Sequence, residues 1–289
     1  MSDQTFRDRE ILQAAQEKGV AATLGAFFRL SGPGWLQSAI TLGGGSLGSA
    51  LYLGMLGGTD LLWVQLVAII IGVIMLSAIS YVTLSSGKRP YGAINQYINP
   101  VLGVAWITAT ILANMVFILA QFSLCYDALD QNLISGGLGD GEREKLIVSG
   151  IIAAVALVIV LMSYKPGAAA KVFDILLKLI VGFVVLCFVG AVVVLFQNGQ
   201  VDWGMIGTGL IPTADSWNSL SSGLSPLVEG LDSGEYWTGQ INAARQSSVV
   251  AAAAAAVGIN MTFLLPYSML ARGWDRTFRG LARWDLVTG

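Results

Sequence analysis

The sequence contains no histidine. That removes every His-ligated metal site and every Ser-His or Cys-His nucleophile pair. Charge is scarce as well: Asp, Glu, Lys and Arg make up only 12% of the 289 residues, about half of what a soluble domain carries. The net charge is −2 and the isoelectric point about 5.1. There is thus no basic excess, and nucleic acid is not an expected partner. The two cysteines, Cys125 and Cys187, both lie inside apolar runs and read as packing residues rather than a redox pair or metal site. The first thirty residues lack the apolar core of a cleavable signal peptide, with Arg7, Arg9, Lys18 and Arg29 standing among acids. Residues 1–30 are expected as a cytoplasmic segment, with a short amphipathic helix lying against the membrane.

What the chain has in quantity is hydrocarbon: 55% of its residues are hydrophobic and the mean hydropathy is +0.69. A spanning helix needs about 20 apolar residues. Six windows meet that need, at 34–57, 61–84, 102–127, 146–163, 171–196 and 249–271. The expectation is an all-α, polytopic membrane bundle over residues 31–289, surrounded by lipid. Connections are brief except 197–248, which is rich in Ser, Gly, Asp and Trp. Lys and Arg placement sets the orientation. With the N-terminus inside, twelve of these residues fall in cytoplasmic segments, while only Arg143, Lys145 and Arg245 fall outside. Lys178 sits within a span and is not counted. A cytoplasmic N-terminus follows, and a plasma (inner) membrane location is expected. Trp35, Trp63, Tyr81, Trp106 and Tyr164 fall near span ends, where amphipathic rings favour the interface.

Two spans are interrupted. The first runs from Gly32-Pro33-Gly34-Trp35-Leu36 to Gly43-Gly44-Gly45-Ser46, then Gly48 and Gly54. Each glycine weakens a helix by about 1 kcal/mol relative to alanine, so three in succession invite unwinding. The sixth reads Gly258-Ile259-Asn260-Met261-Thr262, with Pro266 four residues on. Unwound backbone survives in hydrocarbon only where protein or a water-filled cavity satisfies it. Interrupted first and sixth spans therefore point to a secondary transporter, with Gly43, Gly44, Gly45, Ser46, Asn260, Met261 and Thr262 as the solute-binding residues. The same small residues would also serve close helix packing.

These residues carry a resemblance. The run from Gly32-Pro33-Gly34-Trp35-Leu36 through Leu53-Gly54 resembles the first span of the Nramp (natural resistance-associated macrophage protein) divalent-metal transporters. Leu61-Leu62-Trp63 through Gly72 and Ser77 to Gly87 are similar to their second span. Lys171 to Phe196 and the stretch ending Tyr267-Ser268-Met269-Leu270 are similar to their fifth and sixth. The resemblance implies a LeuT-type fold of two inverted five-helix repeats, with the site between spans one and six. It implies that this chain holds the first six helices of a larger transporter, since Trp284 to Gly289 read as the start of a seventh. The family's metal-binding Asp-Pro-Gly-Asn is replaced here by Gly43, Gly44, Gly45 and Ser46. Its Met-Pro-His is matched by Asn260, Met261 and Thr262, and a slip of one residue would put Met261 in the thioether position.

Negative charge is missing from mid-membrane. Asp174 and the terminal Asp127 are the only carboxylates within the six windows. Asp174 can pair with Lys178 one turn on, near the cytoplasmic end of its helix. The acids that the resemblance implies in span three are absent too, and Asn114 and Gln121 are the polar residues there, read as helix–helix hydrogen-bonding groups. A bare divalent ion would lack the charge it usually obtains from Asp or Glu. Three readings remain: an Nramp-like divalent-cation transporter with Ser46 and Asn260 as oxygen donors, a same-fold transporter of an amino acid or other small solute, and a non-transporting scaffold or sensor. An enzyme is not expected, and no cofactor is implied.

Overall fold

In lipid, a backbone can satisfy its own N–H and C=O groups along an apolar run only as helix, and helix is what these runs form. The computed structural model describes residues 3–41, 43–134, 137–139, 141–163, 168–213, 219–221 and 223–289, with no strand among them. Helices α1 (Asp3–Lys18) and α2 (Val20–Leu30) precede α3 (Pro33–Thr41) and α4 (Gly44–Gly57). Then come α5 (Leu62–Ser86), α6 (Pro90–Tyr97) and α7 (Pro100–Ala128), which continues into a π-helical turn, and α8 (Glu142–Ser163) and α9 (Ala168–Gln197). Short helices α10 (Trp203–Gly209) and α11 (Ser225–Glu229) lead to α12 (Gly234–Ala256), α13 (Ile259–Ala271) and α14 (Arg279–Thr288).

Five stretches are long and apolar enough to cross a membrane: α5, α7 with its π turn, α8, most of α9, and the composite Gly234–Ala271 of α12 and α13. Their outward faces have no protein to touch. The apolar window of α8 is 0% buried and that of α9 6%. Ile70, Ile71 and Ile74 of α5 are half or more exposed. Contiguous apolar area of this extent calls for a lipid surrounding.

The first window does not form one continuous helix. It is divided into the nine-residue α3 and the fourteen-residue α4. The sixth differs from expectation in its start: α12 begins at Gly234, so part of the presumed loop is helix. Polar residues such as Asn242, Arg245 and Gln246 hide that helix from a hydropathy reading. Arg245, counted above as an outer-loop charge, is 1% exposed within α12, where Asp60 acts on its charge.

The N-terminal segment is tied to the bundle rather than simply laid on a membrane. Leu12 of α1 is fully buried among Trp274, Phe278 and Leu281, and Arg9 forms an ion pair with Asp275. The same end holds bonds from Arg276 and Arg279 to Ser85. Asp285 of α14 caps the start of α3, accepting N–H groups from Gly32 at 3.0 Å and Gly34 at 2.6 Å. At the opposite end Leu53, Leu61, Val64, Val249 and Ala252 form a second core that joins α4, α5 and α12. Trp63 packs against that core and Trp106 lies 5.3 Å from Phe263 of α13, so both rings have protein partners besides any interface role.

Candidate solute site at two broken helices

Both breaks have the same local geometry. Gly43 (φ −66°, ψ 163°) stands before α4 and Gly258 (φ −74°, ψ 155°) before α13, each extended and each lacking a side-chain cap. An extended residue between two helices leaves the last carbonyls of one and the first N–H groups of the next unpaired within the helix. The positions differ slightly from expectation. Gly44 and Gly45 are not unwound but open the first turn of α4, and Asn260, Met261 and Thr262 lie in the first turn of α13. The interruptions fall one or two residues earlier, at Gly43 and at Val257–Gly258. Pro266 stays inside α13. Lacking an N–H, it leaves the carbonyl of Thr262 without its usual helical donor.

Between the breaks lies a cavity of about 200 Å³. Thr41, Gly43 and Ser46 line it from the first broken span, and Ala255, Gly258, Asn260 and Met261 from the sixth. One face of α7 closes it, with Asn114, Phe117, Ile118 and Gln121 at helical spacing. Four of the seven expected site residues thus meet there. Thr262 is not among the lining residues, and its hydroxyl donates to the Ile259 carbonyl at 2.6 Å. Gly44 and Gly45 lie outside the residues whose burial is described.

The polar atoms are neutral and mostly tethered. Thr41 Oγ1 donates to the Gln37 carbonyl at 2.9 Å and lies 3.6 Å from Met261 Sδ. Ser46 Oγ donates to the Gly43 carbonyl at 3.3 Å. Asn260 Oδ1 accepts the Met261 N–H at 3.0 Å. Met261 is 3% exposed, so its thioether sits at the inner wall. No group of three His, Cys, Asp or Glu side chains exists among the described residues. Asp174 and Lys178 lie on α9, but their side chains are outside the described ones.

Sequence reading missed Thr41, although a polar residue at the end of the first half-helix was a usable signal. It noticed Asn114 and Gln121 but gave them to helix packing, because nothing local shows which neighbour an α7 face meets.

A multi-spanning bundle with a neutral cavity at two helix breaks is the architecture of a membrane solute transporter. The model of the natural resistance-associated macrophage protein-like (Nramp) family matches residues 34–289, and the chain belongs to that family. The family is one of LeuT-type membrane metal-ion transporters, not of enzymes. Compared with curated proteins and with solved structures, the chain has no match.

Proposed function

We propose that this protein is a secondary transporter that moves a divalent cation with its water shell through the cavity between the broken spans. Gly43, Gly44, Gly45, Ser46, Asn260, Met261 and Thr262 form or shape the binding region, and Ser46 and Asn260 are its side-chain oxygens from the two broken spans. The protein would sit in the inner membrane with its N-terminus in the cytoplasm.

The observation that carries this reading is a cavity large enough for an ion and several waters, with no carboxylate among its described lining residues. Six waters, at roughly 30 Å³ each in the liquid, need space of that order. Mg²⁺ releases its water reluctantly and is held through oxygen acceptors, whereas Cd²⁺ gains from thiolate and thioether. One thioether without a carboxylate is a poor exchange for a divalent ion's inner water shell. Without histidine, and with no acid on α7 between Trp106 and Tyr126, proton coupling should be weak.

A second reading has its own observation. Asn260 keeps an amide donor free of the α13 backbone, and two helix N-termini open beside it, an arrangement that suits the carboxylate of an amino acid.

Uptake of Mg²⁺, Mn²⁺ and Cd²⁺ by the full-length protein in proteoliposomes, with an internal pH dye, separates these. Mg²⁺ uptake with little preference for Cd²⁺ and little lumenal acidification is expected. Strong, saturable Cd²⁺ uptake that acidifies the lumen would restore a dehydrated, proton-coupled mechanism. Amino-acid uptake without cation uptake would favour the second reading.

A further inference from the structure

We infer that Asn114 of α7 is a specificity-determining acceptor for the outer face of the transported cation's water shell. The inference rests on the reading of the cavity as the cation's path. Asn114 lines the cavity, and its Nδ2 donates to the Thr110 carbonyl at 2.8 Å. A carbonyl oxygen only accepts, so the atom facing it must be nitrogen, and the amide orientation is fixed. That leaves Oδ1, with both lone pairs, and one N–H for a cavity occupant. Asn260 is tethered the other way: its Oδ1 takes the Met261 N–H, so one of that oxygen's two lone pairs is already spent. Of the two asparagines, Asn114 therefore offers the cavity the less committed acceptor.

The hydroxyls follow Asn114. Thr41 and Ser46 have their hydrogens directed to the Gln37 and Gly43 carbonyls, which leaves oxygen lone pairs. Water bound to a cation turns its oxygen to the metal and its hydrogens outward, so a hydrated cation needs a surround of acceptors. On the α7 wall Phe117 and Ile118 supply none; the amides Asn114, one turn before them, and Gln121, one turn after, are the acceptor-bearing side chains there. An amide oxygen polarised by a committed N–H is the stronger kind of neutral acceptor.

The test uses cobalt(III) hexammine, whose ligands cannot be shed and point N–H groups outward as bound waters point O–H groups. It is added as an inhibitor of Mg²⁺ uptake in proteoliposomes of the full-length protein, with wild type, Asn114→Leu and Asn114→Asp compared. Hexammine should compete with Mg²⁺ in wild type. Asn114→Leu should raise its inhibition constant about tenfold, the effect of one charge-assisted hydrogen bond, and Asn114→Asp should lower it. Equal inhibition of wild type and Asn114→Leu would overturn the inference and leave cation transport standing. Mg²⁺ uptake that ignores hexammine would do the same, because the ion would then pass stripped of water. Should Asn114→Leu fail to insert, a hexammine block unchanged or weakened in Asn114→Asp overturns the inference. If wild type moves no divalent cation, the reading of the cavity falls and this inference with it.

Discussion

At the scale of single residues, the proposed function turns on Met261. Its sulfur lines the cavity beside the Thr41 hydroxyl and is the soft donor among the described lining residues. For an ion that keeps its water, the thioether is a wall; for a stripped ion, it is a ligand. Met261→Leu, a swap of similar volume, should therefore leave Mg²⁺ uptake within about twofold, since such exchanges cost under about 1.5 kcal/mol. Relative Cd²⁺ uptake should fall no further. A selective loss of Cd²⁺ uptake, read in the same liposomes, would show direct coordination. The sequence puts both Asn260 and Met261 at the site but leaves open whether Met261 takes the thioether position, which needs a slip of one residue. Both line the cavity, because the turn that opens α13 at Gly258 puts two successive residues at its rim.

Among elements, the glycine runs made the two breaks legible, yet their exact places were not. Whether Gly43 or Gly45 interrupts the helix depends on which residue the neighbouring elements hold extended. At the sixth span, Val257 lies against Gly72 of α5 so closely that a methyl group on Gly72 would collide with it. The N-terminal clamp was illegible too, since Arg9 and Asp275 are 266 positions apart. Burial raises the Asp275 pKa, but hydrogen bonds from the Thr277 side chain and N–H, with the Arg9 charge, outweigh it and hold it below the usual 3.8. A depressed carboxylate stabilises the docked state above its unfolded pKa and loses that contribution as pH falls through the lower, folded value. Hydrogen exchange in detergent should find α1 protection steady from neutral pH down to 3.8 and declining below it. Asp275→Asn should lower that protection at neutral pH. Unchanged protection in the variant would mean that Leu12 alone holds α1.

For the whole molecule, class and spans could be read because apolar length and helical backbone closure are local requirements. Packing between spans could not, and so Asn114 and Gln121 read as helix–helix hydrogen-bonding groups, whereas the structure sets them on the cavity wall. The same limit hid α12 before Ser248. We infer sidedness from the charge count, and the contacts gather α1, Ser85 and Asp275 to Arg279 at one end. Cysteine at position 90 should label from the cytoplasm and cysteine at position 216, which lies outside the described residues, from the exterior. Cytoplasmic labelling of Ser216→Cys would invert the topology.

The most direct test of the central claim asks whether the cation passes between the broken helices. Ser46→Cys, in a protein with Cys125 and Cys187 replaced by serine, puts one thiol on the cavity wall. Proteoliposomes of this variant would be treated with a small cationic methanethiosulfonate reagent while Mg²⁺ uptake is followed. Modification should stop uptake, and millimolar Mg²⁺ should slow the modification. Complete modification with uptake undiminished, at a rate indifferent to Mg²⁺, would place the cation's path elsewhere.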